Sequence, residues 1–175
     1  MKRLGTFATT AVSLLILGLA LPAGEAVGQE KVKVSKKQLV GTWAYTSVQL
    51  ERADGSKVEP WGPNPNGTLI FTANGRYALQ LARTDLRKFA SKDRMKGTPE
   101  ENQAVVHGSI AYFGTYTVNE ADGSYTLKVE GSSYPNDYGN NLNRTVTFLS
   151  ANELKTTNPT PTTGAKAYAV FKRVK

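Results

Sequence analysis

Few side chains in this sequence can do chemistry. His107 is the one histidine and cysteine is absent among 175 residues. That excludes disulfides, thiolate metal sites, a cysteine nucleophile and a lipidated cysteine, and it leaves too few imidazoles to build a zinc centre. No catalytic constellation, metal site or cofactor motif is read. The side chains that remain are suited to recognition. Arg83 and Arg144 each end an apolar stretch, and a guanidinium presents planar donors that match a carboxylate two at a time. Tyr134 and Asn136, on one loop, are expected to join them around the polar head of a ligand. The competing reading has both arginines snorkelling to water or pairing with Asp85 and Glu130. Glu130 falls outside by simple alternation; turned inward beside Gln80 and Tyr116 it would be a proton-transfer group. His107 lies at a helix end, where a cation suits the helix dipole, or acts as a lone general base. Trp61, in the proline-rich stretch 60–67, either closes over a cavity mouth or plugs its own loop in place.

The elements that must position these residues are strands. Alternating, β-branched and aromatic runs predict strands over 39–51, 68–72, 76–82, 110–118, 124–132, 143–149, 153–156 and 166–173. One helix interrupts them: Thr98-Pro99-Glu100-Glu101 reads as an N-cap, a proline at the first helical position and a capping-box glutamate, and Gly108 ends the helix. Links 73–75, 119–123 and 150–152 are tight turns, whereas 52–67, 83–109, 133–141 and 157–165 are long. In an up-and-down meander alternate links fall at opposite ends, so the long ones share one rim. Eight antiparallel strands of this kind close into a barrel, which removes their edges and leaves room for one small ligand. The expected fold is all-β, an eight-stranded antiparallel up-and-down barrel with one short helix in the 83–109 link. Period-2 alternation puts Trp43, Tyr45, Ser47 and Gln49 on one inward face. It does the same for Tyr77, Leu79 and Leu81 with Arg83, and for Val146 and Phe148 with Arg144. Arg83 and Arg144 would then stand near the mouth. Alternatively Tyr45, Tyr77, Tyr116 and Phe148 fill the barrel themselves.

A family resemblance follows from specific strings. Gly41-Thr42-Trp43 resembles the Gly-x-Trp that opens lipocalin barrels, with Arg173 where those proteins set a basic residue across that Trp. More specific are Leu39-Val40-Gly41-Thr42-Trp43, Gln80-Leu81-Ala82-Arg83 and Gly97-Thr98-Pro99-Glu100-Glu101. Ala111-Tyr112-Phe113-Gly114-Thr115-Tyr116 and Val129-Glu130-Gly131-Ser132 with Pro135-Asn136 extend the likeness over nearly the whole chain after residue 38. Together they resemble the lipocalin-like domain family of bacteria and fungi, a calycin-type barrel. The resemblance implies the fold and a structural role for Gly41, Trp43 and Arg173. Where relatives often carry a histidine before Val-Glu-Gly-Ser, this chain has Lys128. Fold does not imply function, and the family name adds little about chemistry.

The N-terminus reads as an address. Met1-Lys2-Arg3 followed by the apolar run 11–21 and by small residues predicts a signal peptide over 1–28, cleaved after Ala26 or Gly28. A basic flexible tail over 29–38 and a barrel domain over 39–175 follow. The formal net charge of +8 is concentrated at this end; from Gln38 onward there are 16 basic and 12 acidic residues. Without a basic, aromatic-interleaved groove, nucleic acid is excluded as a partner. Membrane contact is expected only through the signal peptide or weakly through the tail. The expectation is a secreted or periplasmic carrier of a small hydrophobic or amphipathic molecule, anionic ones included. The alternatives are a cavity enzyme of isomerase or cyclase type acting on a lipophilic substrate, and a ligandless envelope module that binds proteins.

Overall fold

The computed structural model describes residues 32–159 and 165–175. After a one-turn helix α1 (Lys36–Leu39) come β1 (Gly41–Glu51), β2 (Lys57–Val58), β3 (Asn66–Phe71), β4 (Arg76–Ala82), helix α2 (Pro99–Gly108), β5 (Ser109–Asn119), β6 (Ser124–Ser132), β7 (Asn141–Leu149), β8 (Glu153–Asn158) and β9 (Lys166–Arg173). Each strand from β3 to β9 pairs antiparallel with the next, and β1 pairs with both β3 and β9, so eight strands close on themselves. The two-residue β2 folds back on the end of β1, opposite Leu50 and Glu51, and lies outside that ring. The expected barrel and its strand order are present. Closure gives each of the eight strands a neighbour on both sides, and the alternating pattern of β4 (exposed, buried, exposed) shows one face turned to a common interior.

The tight turns lie together at one end, and that end is sealed. The Trp43 indole N–H donates to the Leu39 carbonyl at 2.8 Å, and Trp43 is fully buried. Arg173 lies 4.0 Å from the Trp43 ring centroid and donates to the carbonyls of Val40 and Gln38 at 2.7 Å and of Ala151 at 2.6 Å. Gly41 has φ +131°, and a Cβ there would stand 2.6 Å from Arg173 Nη1, so glycine is required by backbone angle and space together. Gly41, Trp43 and Arg173, expected to have a structural role, thus meet at the closed end.

The flexible tail expected over 29–38 is corrected for residues 32–38. Val34 is 2% exposed and joins the core, and Ser35 caps α1 through a reciprocal capping box with Gln38. A Cβ on Gly123 would come within 2.3 Å of the Val32 carbonyl oxygen, which shows how closely this segment crosses the 119–123 turn. Valines interleaved with the lysines supply an apolar face that a purely charged reading overlooks. Among the described residues no helix is long and apolar enough to cross a membrane.

Candidate functional site

The interior departs from simple alternation at two bulges, and these decide what it contains. On β1 the register with β9 shifts between Tyr45 and Ser47. The extra residue reverses the faces beyond it, so Val48 and Leu50 point inward while Ser47 and Gln49 turn out, Gln49 towards Glu59. On β7 the shift lies between Val146 and Phe148. Val146 stays buried, but Phe148 is 43% exposed beneath the ammonium of Lys155. Three side chains expected inside, Ser47, Gln49 and Phe148, are thereby removed, and the barrel is hollow.

The cavity measures about 590 Å³. Leucines from β3, β4 and β6, with Val48 and Phe171, make its wall apolar. Against this background one cation stands out. Arg144 pairs across the strands with Tyr125, one step from the last β6–β7 pair at the closed end. It rises from low on the wall, and not at the mouth as expected. Its guanidinium donates to the Asn143 carbonyl at 2.9 Å and reaches the Tyr112 hydroxyl at 3.4 Å. Burial works against its charge, but Tyr112, Tyr125 and Tyr45 around it more than offset that, and its pKa lies above the ordinary value. Desolvation raises Tyr45 well above the usual tyrosine range and pushes Tyr125 up to about 12, so both hydroxyls stay protonated and can donate.

A second polar group faces the cavity from a loop. β7 begins opposite Lys128, so beside the upper half of β6 the wall is completed by residues 133–140. That segment is tied down by main-chain bonds from Val129 N–H to Asn140, from Gly139 N–H to Val129 and from Ser133 N–H to Ala111. Its 3₁₀ turn Pro135–Asp137 turns Asp137 inward, 2% exposed, with Oδ1 lacking a protein partner. Burial holds this carboxyl above its ordinary pKa, and the charge of Arg144 pulls part of the way back.

The rim carries Pro60 and Trp61 from the first long link, Val105, Val106 and His107 from α2, and Tyr134. The α2 capping box sets this rim. Thr98 Oγ1 accepts from Glu101 N–H, while the Glu101 carboxylate accepts from Thr98 and Ala90 N–H at 2.9 and 2.8 Å. Those bonds hold the Glu101 carboxyl below its usual range, that from Ala90 most of all.

Of the residues expected at the site, the structure brings Tyr45, Trp61, Tyr134 and Arg144 together around the cavity, with His107 at its rim. It removes six. Ser47 is turned out by the bulge, and Gln80 is on the exposed face of β4. Arg83 pairs with Asp85 at 2.5 and 2.7 Å in solvent, the outcome that competed with an anion site. Tyr116 belongs to the closed end, its hydroxyl donating to the Thr72 carbonyl at 3.0 Å and its ring packed on Phe71. Glu130 pairs with Arg76 at 2.7 Å on the outer surface. Asn136 is exposed and offers only its carbonyl to Asn140. The residues that the sequence reading overlooked are Tyr112, Tyr125, Thr156 and Asp137. Tyr125 alternates with Leu127 and Val129 on the buried face of β6, a usable signal. A turn aspartate in Pro-Asn-Asp gives none.

A family model described as a lipocalin-like domain matches residues 40–174. No curated protein matches the chain. Among solved structures, a redesigned β-barrel is similar at 16% identity and TM-score 0.44, covering 83% of this chain and 99% of its own. A biogenic amine-binding protein, as its selenomethionine derivative, is similar at 14% identity and TM-score 0.46, covering 81% and 67%. Bovine odorant-binding protein, in complex with a selenium-containing odorant, is similar at 13% identity and TM-score 0.40, covering 85% and 78%. At these identities the likeness is one of barrel architecture and brings no ligand with it.

Proposed function

Because the chain belongs to the lipocalin-like domain family, we propose that its barrel holds a small, largely apolar molecule whose acidic or other hydrogen-bond-accepting head is received by Arg144. One observation carries this reading. A guanidinium stands in an apolar cavity, and among the described residues no carboxylate forms an ion pair with it. A guanidinium has five N–H donors, and the neighbouring protein groups take up two of its bonds. A buried charge is costly unless it is matched, and a ligand carboxylate would match it. A cavity of about 590 Å³ lies in the range of small-molecule sites, roughly 300–1,000 Å³, and speaks against a filled, ligandless barrel.

Calorimetric titration with dodecanoate and with dodecanol tests this. Arg144→Gln should weaken dodecanoate by about 10- to 100-fold, the worth of a charge-assisted contact, and leave dodecanol within about threefold. Equal losses for both ligands, or none, overturn it.

A second reading is favoured by Asp137: a cavity enzyme of isomerase or cyclase type, in which this carboxyl moves a proton on a lipophilic substrate. Conversion of the co-purified cargo by wild type and not by Asp137→Asn would select it. Native mass spectrometry of the purified protein before and after denaturing extraction identifies that cargo.

Export belongs to the same proposal. The basic start and apolar run support cleavage of residues 1–28, release of a barrel domain over 39–175, and a secreted or periplasmic location. The intact mass of the exported protein should correspond to a chain that starts near Val27 or Gln29. A mass retaining Met1-Lys2-Arg3 would refute it.

A further inference from the structure

The unpartnered oxygen of Asp137 sharpens the identity of the ligand. Two buried side-chain atoms lack a hydrogen-bond partner among the described residues, Tyr77 Oη and Asp137 Oδ1. Only the second belongs to a side chain that lines the cavity. The segment that carries it is fastened at both ends by main-chain bonds to β5 and β6, so the carboxyl is held at the wall and cannot swing out to water cheaply. A buried acceptor left unpaired costs free energy that a ligand donor recovers on binding.

We propose that Asp137 is a second recognition point, which accepts a hydrogen bond from a neutral donor, a hydroxyl, on the apolar body of the same molecule whose acceptor head meets Arg144. This rests on the carrier reading above and narrows it to hydroxylated acids or similarly two-poled amphipaths. The donor is neutral because Arg144 already supplies positive charge to this cavity, and its field reaches Asp137. An ammonium placed beside Asp137 would gain from the carboxylate and lose against the guanidinium, and it would also surrender its hydration. A hydroxyl gains the bond without that opposition. The other polar groups of the cavity are engaged or stand elsewhere. The hydroxyls of Tyr45, Tyr112 and Tyr125 surround Arg144, and Thr156 hydrogen-bonds Tyr125. Ser109 donates to the Val105 carbonyl and Ser133 accepts from Ala111 N–H, while Tyr134 and His107 stand at the rim. Position along the ligand then matters, since Arg144 rises from low on the wall and Asp137 looks in from the loop segment that completes the upper part.

The test is a positional scan. Dodecanoic acid and its monohydroxylated isomers are titrated calorimetrically into wild type, Asp137→Leu and Asp137→Asn, with the aminododecanoic acid of the best position as a further probe. The expected result is one position, or two adjacent ones, binding about tenfold or more tighter than the parent acid, the usual worth of a hydrogen bond to a charged group. In Asp137→Leu that gain, measured against the same variant's affinity for the parent acid, disappears. In Asp137→Asn, which folds with the least change of shape, the gain shrinks. The amino acid of the same position binds more weakly than the hydroxy acid. Isomers that all bind like the parent overturn the inference, as does a gain that survives Asp137→Leu or an amine that outbinds the hydroxyl. The carrier reading is judged separately, on the parent acid and its sensitivity to Arg144→Gln. If no acid binds at all, both fall.

Discussion

Replacing Arg173 with methionine isolates what one guanidinium does for the closed end of the barrel. The unbranched methionine side chain keeps apolar cover over Trp43 and loses the charge and all three donors. The structure assigns those donors to three carbonyls from three places: Gln38 in α1, Val40 at the entry to β1, and Ala151 in the β7–β8 turn, at 2.6–2.7 Å. Hydrogen bonds from a charged group are worth about 1.5–3 kcal/mol each when water cannot replace them. Only the Val40 bond is partly buried; the other two lie in solvent and deserve about 1 kcal/mol or less each. The cation over Trp43 at 4.0 Å adds about 1 kcal/mol. A loss of about 3–4 kcal/mol follows, since such terms do not add fully. Urea unfolding followed by tryptophan fluorescence should show the midpoint falling by about 2 M at unchanged slope, given a slope of about 1.5–2 kcal/mol/M for a domain of this size. Arg173→Lys should recover less than half, because one ammonium cannot meet three diverging carbonyls. A methionine variant within about 1 kcal/mol of wild type, or a lysine variant equal to it, would refute the reasoning.

The remaining predictions concern the cavity and the bulge that shapes it. Val48→Asp should cost about 3 kcal/mol or more in urea unfolding, since it puts a charge into the apolar wall, whereas Ser47→Asp should stay within about 1 kcal/mol; the reverse order would mean the β1 bulge is misplaced. Trp61→Ala should raise the dissociation rate of dodecanoate in stopped-flow measurements more than it changes association, if Trp61 covers the bound molecule at the rim; unchanged release would make it a plug for its own loop. Asp137→Leu should be more stable than wild type at neutral pH, by about 1–3 kcal/mol for removing an unpartnered buried acceptor. Asp137 binds its proton more tightly folded than unfolded, so wild-type stability falls as pH rises from the ordinary value of 3.8 through the raised folded value. The gap to Asp137→Leu should widen across that window and then level off; a gap that narrows there would contradict the burial of this carboxyl.

Much of the architecture was legible because it rests on local signals. Glycines in tight turns, alternation, and the contrast between short and long links are enough to predict eight strands and a shared rim, and the capping box of α2 is present residue for residue. The interior was less legible because period 2 holds only until a bulge. One inserted residue near Thr46 exchanges Ser47 and Gln49 for Val48 and Leu50, and nothing in Ala44-Tyr45-Thr46-Ser47-Val48 marks where the chain will take that extra step. Phe148 went wrong for the same reason. Arg83 and Glu130 failed differently. Each found an oppositely charged partner, Asp85 two residues along and Arg76 two strands away, and exposed pairs of that kind cost little to form.

What the sequence could not disclose is where the fold accepts a cost. Arg144 and Asp137 both sit where leucine would pack more favourably, in a wall that is mostly aliphatic and aromatic. They repay each other only in part, because the charge of Arg144 reaches Asp137 but no ion pair joins them. Buried charges are poor stabilisers even when paired, and these are placed apart, one low on β7 and one on the loop that stands in for the missing upper part of that strand. A barrel selected for stability alone would have neither. A barrel selected to hold any apolar molecule would need neither as well, since leucine walls discriminate poorly between hydrocarbons of similar size. Two separated polar points on an apolar wall impose what the wall cannot, an orientation and a length. On the proposed reading the two charges are the specificity of the cavity, and the apolar side chains around them its affinity.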